Sequence, residues 1–154
     1  MTSFNFSAAL ALALGFASVS ASADDLLGTV DRSKGGGTTV ALDLVTAGET
    51  TVFEFVIVVP KGATNVDLSK CLAGLPASHT GKCQFNEKAG EVIAIAFSAS
   101  NTKLPKGAVG LGSVSYASLL KGGNNAIIRD LVVGNDRGLA VPSNIQIDDA
   151  LLGN

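Results

Sequence analysis

Residues 50–59 read TTVFEFVIVV, and this run decides the fold of the chain. β-branched and aromatic side chains fill it, both of its faces are largely apolar, and Pro60 and Gly62 end it. Such a run predicts a strand inside a sheet that is covered on each side for part of its length. Glu54 is its one charged residue, and a solvent-facing glutamate explains it better than a buried catalytic carboxylate.

Short strand-like segments separated by turn residues continue on both sides of this run. Residues 38–45 alternate between apolar and polar positions, which is typical of a half-buried strand. In residues 109–116 the alternation is interrupted at Gly110 and Gly112, which predicts a bulge or a bend. About nine strands result, and no helical apolar stripe follows the first 23 residues. The sequence therefore predicts an all-β sandwich and excludes parallel βαβ architectures.

Residues 91–98 form a second strong strand with two different faces. One face carries large apolar side chains, which we expect to point into the core: Ile93, Ile95 and Phe97. The other would then be a flat, weakly polar surface suited to a protein partner, formed by Ala94, Ala96 and Ser98. The alternative is that another segment of the chain covers these small residues.

The first 23 residues contain no charged side chain. Residues 8–19 have the length and apolarity of a signal-peptide core, and Ala21-Ser22-Ala23 has the small residues of a cleavage site. The apolar stretch is shorter than the roughly 20 residues of a transmembrane helix. We therefore expect residues 1–23 to be a cleaved signal peptide and residues 24–154 to be a single domain that is secreted, outside the cell or into a periplasm, with no membrane attachment after cleavage. An N-terminal helix that stays attached is the alternative.

Composition argues against several functions. The formal net charge of −2 lacks the basic footprint that nucleic-acid binding requires. His79 is the single histidine, lies in a polar loop where we expect it to be solvated, and has no nucleophile-elbow motif near it. No arrangement of carboxylates stands out as an acid–base pair. We predict neither catalytic residues nor a cofactor.

Cys71 and Cys83 are the only two cysteines, and the loop between them reads LAGLPASHTGK. In an oxidising compartment a disulfide between them is the default expectation. A metal pair is disfavoured because one nearby histidine does not complete a four-ligand set. Asp130 and Asp136 are weak calcium candidates near the C-terminal loops, but their spacing is not that of an EF-hand and we predict no metal site. Asp136 is better explained by a turn at residues 134–138.

Three segments, at residues 50–68, 90–118 and 131–147, together resemble a cohesin domain. TTVFEFVIVVPKGATNVDL is similar to the early core strand of that family, with its stop and the short strand after it. GEVIAIAFSASNTKLPKGAVGLGSVSYAS resembles its later strand pair, and LVVGNDRGLAVPSNIQI resembles the hairpin that ends the fold. Compared with the family pattern, the loop between Cys71 and Cys83 is an addition.

The resemblance implies a nine-stranded jelly-roll sandwich, related in architecture to cellulose-binding modules. It also implies a non-enzymatic module that docks an extracellular partner, dockerin-like or of another kind, in a polysaccharide-degrading or surface assembly. Two alternatives stay open: a self-assembling structural subunit, and a module that binds polysaccharide or a soluble glycan. The chain has no Trp and one Tyr, so a flat aromatic sugar platform is disfavoured, whereas a polar groove for a short glycan is not.

Overall fold

The computed structural model describes residues 23–118 and 127–149, and these form a β-sandwich of nine strands in two sheets. The described residues contain no helix, and none of their segments qualifies as a membrane-crossing helix. Residues 1–22 of the predicted leader lie outside the described residues. The strands are β1 (Asp24–Arg32), β2 (Gly37–Thr46), β3 (Thr50–Val58), β4 (Thr64–Asp67), β5 (Thr80–Asn86), β6 (Glu91–Phe97), β7 (Gly107–Ala117), β8 (Ile127–Asn135) and β9 (Ser143–Asp149).

The two sheets have the orders β4-β7-β2-β1-β9 and β5-β6-β3-β8. Neighbouring strands are antiparallel except β1 and β9, which pair in parallel. This confirms the nine-stranded sandwich that the sequence predicts. Between β8 and β9, Ala140 makes an isolated bridge to Gly134.

β3 lies inside the four-stranded sheet, between β6 and β8, as its composition predicts. Phe53, Phe55 and Ile57 point into the sandwich and are at most 1% exposed. The rings of Phe53 and Phe55 lie nearly parallel, with centroids 6.2 Å apart. Glu54 is on the opposite face and is exposed, as expected for a solvent-facing glutamate.

The predicted orientation of β6 is wrong. Ala94 and Ala96 are fully buried and Ser98 is 7% exposed, so the small residues face the core. The β3–β6 register explains this, because Ala94 lies opposite Phe55 and Ala96 lies opposite Phe53. The two phenylalanine rings fill the interior at this level, and a core at native packing density then has room only for small neighbours.

The loop between Cys71 and Cys83 packs across β7. The two cysteines form a disulfide, with their Cα atoms 6.2 Å apart. The Gly74 N–H donates to the Leu111 carbonyl at 3.2 Å, and the Ser113 N–H donates to the Lys70 carbonyl at 3.1 Å. The predicted irregularity is confirmed, since the β2–β7 register shifts between Gly110 and Gly112.

Two buried carboxylates hold the ends of this fold. Asp24 is fully buried and accepts hydrogen bonds from the Ala47 N–H at 2.9 Å and from the Thr50 hydroxyl. Asp149, at the end of β9, accepts hydrogen bonds from both Nη groups of Arg32, one of them at 2.7 Å. β1 is thus attached at one end to the β2–β3 turn and at the other to β9.

Candidate functional site

The outer face of the four-stranded sheet exposes an unusual number of apolar side chains. Ile93, Ile95 and Phe97 of β6, which the sequence pattern assigns to the core, are 38%, 39% and 47% exposed. Val52 of β3 and two residues of β8 continue this surface onto the neighbouring strands. We call this surface the apolar face, and it consists of Val52, Ile93, Ile95, Phe97, Ile127 and Val132.

Strand register places these residues on one side of the sheet, with Glu54 and Arg129 between some of them. Val52 lies directly opposite Phe97 across the β3–β6 pair, and cross-strand partners of this kind point to the same side of a sheet. Val132 lies opposite Glu54 on the other side of β3, and Ile127 lies opposite Val58. Apolar residues therefore extend across three adjacent strands.

Charged groups sit inside and around the apolar face. Glu54 lies between Ile95 and Val132 and has no ion-pair partner among the described residues. Arg129, opposite Val56 on the same face, is paired with Glu91 and with the adjacent Asp130. The face is therefore an apolar surface with one uncompensated negative charge inside it.

β5 supplies a polar rim along one edge of this face. Lys82 lies opposite Ile95 and Gln84 lies opposite Ile93, and Thr80 and Asn86 continue the same row. All four are exposed. An apolar centre with a polar, solvated rim is the usual composition of a protein–protein interface.

The structure places the sequence-predicted partner residues differently. Ala94 and Ala96 lie on β6 and Ser98 directly follows it, but all three are buried and offer a partner no surface. The Ser98 N–H donates to the Thr51 carbonyl at 2.9 Å and its hydroxyl accepts from the Thr102 N–H at 3.0 Å, so Ser98 anchors a loop. That a sheet face is the interaction surface stays a prediction. The β6 residues on the exposed face are Ile93, Ile95 and Phe97.

The weak calcium candidates are not brought together. The Asp130 carboxylate is paired with Arg129, and an Asp136 oxygen lies 3.7 Å from the Lys103 ammonium. In residues 23–118 and 127–149 no three His, Cys, Asp or Glu side chains form a group that could hold a metal ion. Both carboxylates instead have cationic neighbours.

His79 is not the solvated histidine that the sequence suggested. It is 7% exposed, its Nδ1 lies 3.0 Å from the Ser78 hydroxyl, and its Nε2 has no hydrogen-bond partner among the described residues. Burial lowers the pKa of this imidazole, because removal from water disfavours the charged form. His79 is thus a neutral, buried part of the disulfide loop.

The outer face of the five-stranded sheet differs sharply in composition. Its exposed or half-exposed positions carry mostly Asp, Thr, Ser and Asn side chains, among them Asp31, Asp43 and Asn144. The two outer faces of the sandwich are therefore an apolar one and a polar one, on opposite sides of one core.

Comparison with solved structures found cohesin modules. A non-cellulosomal cohesin from Archaeoglobus fulgidus aligns over 83% of this chain and 88% of its own, with TM-score 0.56 and 14% identity. The type II cohesin A11 from Bacteroides cellulosolvens aligns over 80% and 99%, with TM-score 0.59 and 11% identity. The cohesin–dockerin complex Coh-OlpC-Doc435 from Clostridium thermocellum aligns over 82% and 94%, with TM-score 0.57 and 10% identity.

Comparison with protein-family models and with curated proteins found no match. At 10–14% identity the structural likeness concerns the fold alone. The chain therefore has a cohesin-like β-sandwich domain.

Proposed function

We propose that this chain is a secreted, non-enzymatic interaction module that binds a dockerin-type protein partner through its apolar face. The observation that carries the proposal is the set of six exposed apolar side chains on one sheet. Contiguous apolar patches with polar rims on soluble domains mark interaction sites, because exposing them to water is unfavourable. Two structural neighbours are complexes of a cohesin with a dockerin, which supports a protein as the ligand.

The chemistry of the apolar face also constrains the partner. Large apolar side chains such as Phe97 and Ile95 favour an apolar partner surface that excludes water. Glu54 would be desolvated inside this contact, and a carboxylate buried without a counter-charge is costly. We therefore expect the partner to place a Lys or Arg against Glu54. An extracellular polysaccharide-degrading or surface assembly is the setting we propose for such a complex.

A single substitution on the apolar face tests the proposal. Ile93→Arg introduces a charge at a 38% exposed position opposite Gln84 and Val56, where we expect the fold to tolerate it because the side chain can reach solvent. The matched control is Leu27→Arg on the outer face of the other sheet, opposite Asp43 and Gln146. Circular dichroism and thermal unfolding establish that both variants fold.

The measurement is affinity capture from the secreted proteins of the source organism, followed by calorimetry with the captured protein expressed alone. A charge in the centre of an interface typically costs about 2 kcal/mol or more, which is roughly a 30-fold loss of affinity. We expect this loss for Ile93→Arg, a smaller one for Glu54→Gln, and wild-type affinity for Leu27→Arg. Equal affinity of wild type and Ile93→Arg would refute the docking surface. Loss of self-association in Ile93→Arg would instead support a self-assembling subunit.

A further inference from the structure

A polar groove of about 430 Å³ crosses the outer face of the five-stranded sheet, on the side of the sandwich opposite the apolar face. Four of its lining residues form a straight row across four strands. Asp31 of β1 lies opposite Thr39 of β2, Thr39 lies opposite Ser115 of β7, and Ser115 lies opposite Asp67 of β4. The row thus has a carboxylate at each end and two hydroxyl groups between them.

Small residues beside the row create the depression. Gly37 and Ala117 face each other across β2 and β7, two residues along the strands from Thr39 and Ser115, and both line the groove. Ser33, from the β1–β2 turn, and Asn65, from β4, supply polar groups on its other sides. The groove is therefore built from backbone, hydroxyl, amide and carboxylate groups.

The length of the row determines the shape of ligand that it can hold. Neighbouring strands lie about 4.8 Å apart, so three steps separate Asp31 from Asp67 by roughly 14 Å along the sheet. Two carboxylates this far apart cannot share one cation, since calcium ligands lie about 2.3–2.6 Å from the ion. A ligand that contacts the whole row must be extended.

The charges of the groove select the class of ligand. Neither Asp31 nor Asp67 has an ion-pair partner among the described residues, and no Lys or Arg of that part of the chain lines the groove. The Ser69 N–H donates to an Asp67 carboxylate oxygen at 2.8 Å, and hydrogen bonds from Ser69, with a smaller effect of Lys70, lower the pKa of Asp67. The ends of the groove therefore accept hydrogen bonds and repel anions.

The hydroxyl groups at the centre of the groove can both donate and accept hydrogen bonds. The Thr39 and Ser115 hydroxyl oxygens are 3.0 Å apart and hydrogen-bonded to each other, which leaves further donor or acceptor capacity on each. Sugar hydroxyls match this pattern, because they donate to carboxylates in charge-assisted bonds and exchange hydrogen bonds with Ser and Thr.

We propose that this groove is a binding site for a short neutral oligosaccharide, which lies along the row Asp31, Thr39, Ser115 and Asp67. Its volume is within the range of small-ligand sites, roughly 300–1,000 Å³. Tyr116, the aromatic residue that lines the groove, is 4% exposed and offers no stacking platform, so polar contacts supply most of the affinity and we expect binding in the roughly millimolar range. The site is independent of the apolar face, and both could be occupied at once.

The test is an NMR titration of the ¹⁵N-labelled protein with neutral di- and trisaccharides of glucose, xylose, mannose, galactose and N-acetylglucosamine. We expect saturable shifts at residues of the row for at least one sugar. Asp31→Asn should weaken its binding about ten-fold, the loss typical of a hydrogen bond to a charged group. Asp43→Asn is the matched control, because Asp43 lies on the same outer face, opposite Leu27 and Gly110, and does not line the groove. It should bind like the wild type.

Three results would overturn the proposal: no saturable shift with any sugar of the panel, an equal loss in Asp43→Asn, or binding of spermidine or Ca²⁺ at the row in place of sugars. Ile93→Arg separates this proposal from the protein-docking one. It should leave sugar binding unchanged, and sugar binding that is lost together with partner binding would place both ligands on the apolar face.

Discussion

Replacement of Gly112 by alanine should destabilise the protein through two separable effects. Gly112 has φ +120°, which residues with a side chain rarely adopt, and forcing alanine into it costs about 1–3 kcal/mol. A Cβ atom there would also overlap the Lys70 carbonyl of the disulfide loop, and this neighbour is backbone. Overpacking of this kind typically costs about 1–3 kcal/mol. We therefore expect Gly112→Ala to lose about 2–6 kcal/mol of unfolding free energy, the sum of the two costs.

Two other glycines separate the two contributions. Gly107 has φ +110°, and a Cβ atom at this position would meet no other atom within 4 Å, so Gly107→Ala reports the backbone strain alone. Gly74 has an ordinary φ, but its Cβ would overlap the Gly110 carbonyl, so Gly74→Ala reports the overlap alone. Gly112→Ala should cost about as much as these two variants together.

Equilibrium unfolding in guanidinium chloride measures the three free energies, and amide exchange locates the effect. In Gly112→Ala the Gly74 and Ser113 N–H groups, which bond the disulfide loop to β7, should exchange faster than in Gly107→Ala. If Gly112→Ala is no less stable than Gly107→Ala, the conclusion that the disulfide loop packs closely on β7 at Gly112 is refuted.

Two further predictions concern buried polar groups. Because burial lowers the pKa of His79, the unfolded chain takes up a proton first as the pH falls below about 6.5, and stability should decrease there. In His79→Gln the free energy of unfolding should not show this decrease between about pH 7 and pH 5. An unchanged decrease would contradict the attribution to His79. Arg32→Met removes the guanidinium from the Asp149 carboxylate, 1% exposed, and should cost about 1–3 kcal/mol in denaturant unfolding. Arg32→Met/Asp149→Leu should recover most of that loss, and a single variant as stable as wild type would show that the pair does not anchor β9.

Local sequence patterns were sufficient to predict the architecture. The apolar run at residues 50–59 identified an inner strand, and the alternation at residues 38–45 identified a half-buried one. Gly110 and Gly112 identified the irregularity of β7. These features depend on residues adjacent in the chain, which is why periodicity detects them.

The candidate sites were not predictable in this way. The polar neighbours of His79 favour a solvated side chain, yet the disulfide loop folds so that this side chain is buried. The groove joins the neighbouring strands β1 and β2 to β4 and β7, which lie further along the chain, and neither Asp31 nor Asp67 stands in any recognisable motif. Such sites depend on long-range strand pairing, which no local pattern encodes.

The orientation of β6 could not be predicted from the sequence of that strand alone. Both faces of this strand are apolar, so alternation alone leaves two orientations, and side-chain size favoured the wrong one. The deciding residue is on a different strand: Glu54 marks the solvent side of β3, and its partner across the sheet is Ile95. Once those two residues are paired, Ile95 must face solvent with Glu54, and Ala94 must enter the core beside Phe55. A one-residue change of register would exchange the two faces, so the apolar face is a property of the β3–β6 pair and of neither strand alone.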